Sequence, residues 1–340
     1  MSIFLDALRY LGYVLIFPGF LFCFMGGMLL CGIDRKMVAK MQKRVGPPVL
    51  QPFYDFFKLC GKETIVPAVA HKTTFLMAPL FGLAALVVVQ LFVPVFDFTA
   101  FSGMADIIVV LYLLLIPAVS VIMGGAASGS PYAGVGLSRE MVTVIACELP
   151  LVMVLLAVGK AVGNAMGTGI VFSFTEIARY QMENGSLILK ASMIPAAVAM
   201  LLVIPGETGN HPFDAAEAET EICEGMLCEY SGPPLAVYKL SHAIKMLTMT
   251  SIFVALFFGG IGSGIESFVA LFLSGAAAAV VAFLLKLIVM FLLCTVVTIV
   301  SISLVHAITA RLRIEQVFKF YWTIVSGFAL ISLVLAWYGL

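Results

Sequence analysis

Between residues 205 and 232 the chain reads PGETGNHPFDAAEAETEICEGMLCEYSG, which holds seven carboxylates and no lysine or arginine. Pro212 suits the first position of a helix, and a helix starting there places Asp214, Glu217, Glu221 and Glu224 at spacings of three and four on one face, with Glu219 off it. Like charges so placed repel by about 3 kcal/mol per pair, at about 6 Å and an effective dielectric of about 20. No basic residue lies between Ala191 and Val237. Either a partner supplies positive charge, or some of these groups keep a proton at neutral pH and titrate as a coupled set. Three chemistries fit: a solvated acidic loop, a divalent cation site that uses His211, and a buried proton-exchanging cluster. The segment carries enough Phe, Ile, Met, Leu and Tyr to pack and shows no usual ligand spacing, so proton exchange is the expected chemistry.

Other ionisable groups lie inside apolar runs. The segment GGAASGSPYAGVGLSREMVTVIACELP ends a glycine-rich stretch in Arg139 and Glu140 and then enters a run containing Glu148. Helical rise puts Glu148 about 12 Å beyond Glu140, where an ionised carboxylate in lipid costs about 3 kcal/mol. Glu148 is therefore expected to face the protein interior, as a step in a proton path or as a hydrogen-bonded packing residue. Lys286, in the middle of another apolar run, either snorkels or pairs with a buried acid, and its central position favours pairing. The first polar stretch, DRKMVAKMQKRVGPPVLQPFYDFFKLCGKETIVP, is basic, and its second half is amphipathic at helical spacing. Its lysines suit anionic headgroups, while the RVGPP corner followed by QPFYDFFK suits a surface presented to a partner. His71, His242 and His306, near the ends of apolar runs, are expected to be structural.

The elements that must position these groups follow from composition. The 340 residues are 62% hydrophobic and 11% charged, with a mean hydropathy of +1.12, which excludes a soluble globular protein. Apolar stretches of about 20 residues match a hydrocarbon core of about 30 Å. The expected fold is an all-α integral membrane protein, one polytopic domain over residues 1–340, with about eight transmembrane helices and amphipathic interfacial helices in cytoplasmic loops. Spans are predicted near 11–31, 74–96, 106–126, 141–163, 187–205, 237–258, 266–305 and 318–338. The stretch 266–305 has no turn residue in VVAFLLKLIVMFLLC, and is read as one long tilted helix or a surface helix feeding a span. The loops 32–73, 127–140, 206–236 and 306–317 collect most of the lysine and arginine, so they are predicted to face the cytoplasm, with both termini outside. The seven cysteines are scattered without a CxxC pair, so neither disulfides nor metal ligands are expected. The N-terminal apolar stretch reads as a first span rather than a cleaved signal.

Four segments, in order, resemble one known family: DRKMVAKMQKRVGPPVLQPFYDFFKLCGKETIVP, GLSREMVTVIACELP, NHPFDAAEAETEICEGMLCEYSG and RLRIEQVFKFYW. Together they are similar to the membrane subunit that joins the membrane arm to the peripheral arm in respiratory complex I and in energy-converting membrane-bound hydrogenases. Arg44, Gly46, Pro47, Gln51, Pro52, Asp55, Lys58, Lys62 and Glu63 match its first-loop motif. Arg139 and Glu148 match an arginine and a glutamate nine residues apart; Arg311, Arg313, Gln316 and Trp322 match the last segment, and Lys286 looks like the family's lysine in the penultimate span. The first loop, RVGPPVLQP, is about six residues shorter than the complex I pattern, in which part of the quinone chamber is built. With NHPFDAAEAE in place of R-x-P-F-D, this resembles the hydrogenase branch of Ech and formate hydrogenlyase type.

The resemblance implies a membrane anchor and coupling subunit of an energy-converting hydrogenase in the cell inner (cytoplasmic) membrane, moving protons or sodium ions. It implies no cofactor and no complete active site in this chain. The [NiFe] centre and [4Fe-4S] clusters would belong to the hydrogenase large and small subunits and an iron-sulfur subunit, with antiporter-like membrane subunits and lipid alongside, and no nucleic acid. Glu140, Glu148, Glu207, Asp214, Glu217, Glu219, Glu221, Glu224 and Lys286 are the candidate proton-coupling residues. Arg44, Gln51, Asp55, Lys58, Lys62, Arg139, Arg311 and Arg313 are candidates for docking the peripheral arm. The alternatives are a subunit with a quinone or methanophenazine site in a complex I-like dehydrogenase, and a stand-alone secondary transporter.

Overall fold

The computed structural model describes residues 2–101, 106–271 and 275–339, which form helices and loops with two isolated β-bridges. In chain order the helices are α1 (Ser2–Leu15), α2 (Phe20–Met41), α3 (Gln51–Cys60), α4 (Lys72–Phe92), α5 (Ile107–Ser128), α6 (Pro131–Met166), α7 (Phe174–Asn184), α8 (Ile194–Thr208), α9 (Glu219–Ile222), α10 (Gly232–Phe257), α11 (Ile261–Ala270), α12 (Ala276–Thr298), α13 (Leu304–Ile308), α14 (Ile314–Phe320) and α15 (Ser326–Tyr338). Eight stretches among the described residues are long and apolar enough to cross a membrane: Arg9–Met41, Lys72–Phe92, Ile107–Ser128, Pro131–Met166, Ala191–Thr208, Gly232–Phe257, Ala277–Ile308 and Ile314–Tyr338. The chain is an all-α, multi-pass membrane protein.

Several boundaries differ from the sequence expectation. The first span does not end near residue 31: α2 runs to Met41, so Asp34, Arg35, Lys36 and Lys40 are helical. The expected loop 127–140 is helical from Pro131, which stands in the first turn of α6 and brings Arg139 and Glu140 onto the same continuous helix as Glu148. The long stretch 266–305 resolves as the second alternative, a short α11 feeding α12. That span then widens into a π-turn at Ile299–Ser303 before α13.

The acidic segment departs most. Pro212 lies in a turn, followed by a 3-10 turn at Ala215–Glu217, the single turn of α9, and a second 3-10 turn at Gly225–Leu227. Cys223, Glu224 and Gly225 have positive φ values of 52°, 65° and 52°. Four carboxylates at spacings of three and four would repel along one helical face. The chain instead folds back so tightly that a Cβ on Gly225 would collide with the Ala216 carbonyl. The predicted one-face helix is therefore absent, although Asp214, Glu217 and Glu224 still converge on one cavity.

α10 is the central element, with 89% of its most apolar window buried, against 28% for the Ala277–Ile308 span. It packs on α2, α3, α4, α8 and α12. Gly27 of α2 permits a close crossing, since a Cβ there would lie 2.8 Å from the Ala243 carbonyl oxygen of α10. α8 lies against both π-turns, the one at Ile299–Ser303 and the one at Tyr321–Val325. Ser301 donates to the Leu201 carbonyl at 2.6 Å and Tyr321 to the Leu202 carbonyl at 3.0 Å. These bonds fix α8 just before Glu207. A Cβ on Gly206 would run into the Tyr321 hydroxyl and stand 2.7 Å from Cys147 Sγ. Gly206→Ala is expected to destabilise the folded chain by about 1–3 kcal/mol through overpacking, read as a lowered thermal unfolding midpoint of the detergent-solubilised protein. An unchanged midpoint would show that α8 is not held there.

Candidate functional site

Where the acidic segment meets the ends of α2, α5, α6, α8 and α10, the helices enclose a cavity of about 260 Å³. Five carboxylates line it: Glu140 from α6, Glu207 from α8, and Asp214, Glu217 and Glu224 from the acidic segment. Opposite them stand Arg35 of α2 and Lys239, His242 and Lys245 of α10. Lys239, His242 and Lys245 recur every three residues towards the middle of α10, and so share the face turned to the acids.

The cations that the local sequence lacks come from distant segments. Lys245 Nζ lies 3.4 Å from Glu207 Oε2, with only 11% and 8% of the two side chains exposed. Arg139 donates to Glu221 at 2.7 Å and to the Ala215 carbonyl at 3.1 Å, gripping both sides of the first 3-10 turn. Arg311 forms a two-pronged pair with Asp214, its Nε donating to Oδ1 at 2.8 Å and its Nη2 to Oδ2. The Leu312 amide adds a bond to the Pro212 carbonyl at 3.1 Å, and His211 Nδ1 stands 2.5 Å from Asp214 Oδ2. Bidentate arginine–carboxylate pairs are among the stronger charge-assisted hydrogen bonds. Arg139 and Arg311, expected to dock a partner, thus bind the acidic segment of their own chain.

The same fold drives two neighbouring carboxylates in opposite directions. Burial pushes the Asp214 carboxyl up, but the adjoining His211 and the hydrogen bonds from Arg311 outweigh it and hold it down to about 2. Glu217 has no such partner. Burial, helped by the charges of Glu140, Asp214 and Glu224 and opposed by Lys239, raises it from 4.5 to about 7. Two carboxyls three residues apart in the acidic segment are thus driven apart, Asp214 towards the ionised form and Glu217 towards neutrality.

The other candidate residues are placed as follows. Glu148 is half-buried on α6, within electrostatic range of Glu207, and does not line the cavity. Glu221 is exposed beside Arg139, and the side chain of Glu219 is outside the described residues. Lys286 is paired, but with two half-exposed acids rather than a buried one: it lies 2.5 Å from Asp97 Oδ1, in the loop after α4, and 2.5 Å from Glu266 Oε1 of α11, away from the acidic segment. Asp55 accepts from Gln51 at 2.9 Å and from Arg35 at 3.2 Å. Arg44 bonds Gln42, and Arg313 precedes α14, where its amide donates to Gln316 at 3.0 Å. Lys58 and Lys62 line a second cavity. Lys239, His242 and Lys245 escaped the sequence analysis as functional groups, although ionisable residues inside an apolar run carry the signal that drew attention to Lys286. Among the described residues, no three His, Cys, Asp or Glu side chains are grouped to hold a metal ion.

Residues 14–337 match the NADH dehydrogenase family. The chain belongs to that family. Its relatives include Hydrogenase-4 component C of Escherichia coli (strain K12), 34% identical over 230 residues, covering 67% of this chain and 70% of the relative. An NADH-quinone oxidoreductase subunit of Thermomicrobium roseum is 37% identical over 251 residues, covering 67% and 72%. Among solved structures, a chain of the membrane-bound sulfane sulfur reductase, an archaeal respiratory membrane complex, superposes with a TM-score of 0.83 at 27% identity, covering 99% of this chain and all of that one. This family member is accordingly a membrane subunit of a complex I-like or hydrogenase-type oxidoreductase complex.

A carboxyl whose folded-state pKa is raised costs the fold nothing below its ordinary value of 4.5, and its cost grows as pH rises through about 7. Local opening of residues 215–225, measured by hydrogen exchange corrected for intrinsic rates, is therefore expected to become easier between pH 4.5 and 7 and to level off above. Glu217→Gln should flatten that dependence, and a slope that survives the substitution would assign it elsewhere. Lys245→Met leaves Glu207 buried without its counter-ion and is expected to cost about 3–5 kcal/mol, read as a fall in the unfolding midpoint that Glu207→Gln in the same chain partly restores.

Proposed function

We propose that this chain anchors the catalytic arm of an energy-converting hydrogenase-type complex in the inner (cytoplasmic) membrane and couples its electron transfer to proton or sodium movement. The acidic segment faces the cytoplasm in this reading, and the N-terminus lies outside. The observation that carries it is one cavity in which Glu217, poised near neutrality, shares space with Glu140, Glu207 and Lys245 of the spans, beneath a segment clamped by Arg139 and Arg311. A change of charge in the docked arm alters the field at this segment and shifts the proton on Glu217. The clamps and the coupled carboxylates carry that shift to Glu140 and Glu207. Glu148, in range of Glu207, is the next group inward.

Redox cofactors sit in partner subunits in this reading: a [NiFe] centre and [4Fe-4S] clusters in the hydrogenase and iron-sulfur subunits, with antiporter-like subunits beside this one in the membrane. The shortened first loop and the likeness to Hydrogenase-4 component C support the hydrogenase branch. The likeness to the sulfane sulfur reductase along the whole chain favours, as a second reading, a complex that reduces sulfane sulfur. Metal content, hydrogen evolution and sulfane sulfur reduction by the complex purified through this subunit separate them: nickel with hydrogen evolution supports the first, sulfane sulfur reduction without hydrogen evolution the second. A quinone-site inhibitor that stops turnover would overturn both in favour of a quinone-reducing complex.

Glu148→Gln and Glu217→Gln are each expected to lower ion-coupled activity, by roughly a hundredfold where a proton-transfer step is lost, without loss of subunits from the purified complex. Full coupled activity in both variants would defeat the relay.

A further inference from the structure

A second cavity, of about 310 Å³, lies between α2, α3 and α10 and has the opposite character from the first. Arg35, Lys58, Lys62 and Lys239 line it, and its one acid, Asp55, is already engaged by Arg35 and Gln51. Lys58, Lys62 and Lys239 form no ion pair within the chain among the described residues. The remaining wall is apolar: Met28, Cys31, Pro52, Phe56, Leu59 and Ala243.

The position is as informative as the charge. α3 is amphipathic; its Phe53 and Phe56 pack on Phe24 of α2, with ring centroids 5.6 and 5.3 Å apart, while Tyr54 and Phe57 remain 59% and 62% exposed. An amphipathic helix with one aromatic face on a transmembrane helix and another uncovered lies at the edge of the hydrocarbon layer. A cleft there, cationic at its rim and apolar on its wall, has the chemistry of an anionic amphiphile, and basic pockets between transmembrane helices hold anionic headgroups elsewhere.

We propose that this cleft binds one anionic phospholipid, its phosphate held by Lys58, Lys62 and Lys239 and its acyl chain lying along Met28, Phe56 and Leu59. The inference stands apart from the functional reading above, since it depends on neither the electron carrier nor the ion moved. It has a consequence for the acidic cavity, because Cys31, Arg35 and Lys239 line both. A phosphate beside Lys239 partly neutralises the cation that favours ionised Glu217, so an occupied cleft favours the protonated form.

The test uses the intact complex, purified through this subunit, stripped of loosely held lipid in detergent and then exposed to mixed micelles of phosphatidylglycerol, of phosphatidylcholine, or to inorganic phosphate alone. Phosphatidylglycerol is expected to be retained by the wild type. Its affinity should fall about thirtyfold in the Lys58→Gln, Lys62→Gln double variant, at about 1 kcal/mol per lysine, and return when both are arginine. Glu217 should titrate at a higher pH with phosphatidylglycerol bound than without. Equal retention by the double variant, equal retention of phosphatidylcholine, or displacement by inorganic phosphate would each overturn the proposal. So would crosslinking of position 62 to an acidic segment of a partner subunit. If the double variant does not assemble, the wild-type preference between the two lipids and its loss at high salt decide the matter.

Discussion

The structure depends on supplying cations, from distant parts of the chain, to carboxylates that have none nearby. Arg139 of α6, Arg311 ahead of α14 and Lys245 of α10 each reach an acid on or beside the 206–231 segment. Unpaired anions at the edge of a low-dielectric core would otherwise protonate or drive the segment into solvent. Because two of the three cations stand on different helices and the third on the loop before α14, the segment closes the bundle: it can pack only when α6, α10 and the approach to α14 are correctly placed. Glu217 takes no part in these three pairings; burial, helped by the charges of Glu140, Asp214 and Glu224, raises its hold on a proton.

The interior of the bundle is arranged around the same end of α8. Two spans widen into π-turns where they pass this helix, and each offers it a hydroxyl, Ser301 to Leu201 and Tyr321 to Leu202. Such turns place a side chain where a regular helix would not. A third hydroxyl, Ser303, caps the buried carboxyl of Asp34 at 2.6 Å. Lys286 with Asp97 and Glu266 forms a separate charged group.

Much of this was legible in the sequence. Eight apolar runs of spanning length sufficed for the spans, because lipid admits few alternatives to a helix, and mid-span ionisable residues flagged Glu148 and Lys286. The acidic segment's convergence was visible, but its conformation was not: charge spacing suggested one helix, and the same repulsion that made the spacing notable argues against it. The pairings of Arg139 and Arg311 were hidden because they join positions far apart in the chain, and surface-like arginines in polar loops look the same whether they serve a partner or their own fold. Lys239 and Lys245 were missed for a simpler reason: α10 is apolar enough to read as a plain span.

The first loop and the acidic segment are also physically joined. The Ile65 amide donates to Ser231 Oγ at 2.9 Å, and Gly232, at a φ of +60°, lies so close to the loop that a Cβ would meet the Glu63 carbonyl oxygen at 2.7 Å. Tyr230 stacks on Phe75 just beyond, with ring centroids 4.0 Å apart. Direct contacts therefore tie the stretch that follows α3 to the C-terminal end of the acidic segment. The two polar stretches are packed as one surface, so a side chain changed in the first loop can disturb the acidic segment without touching a carboxylate.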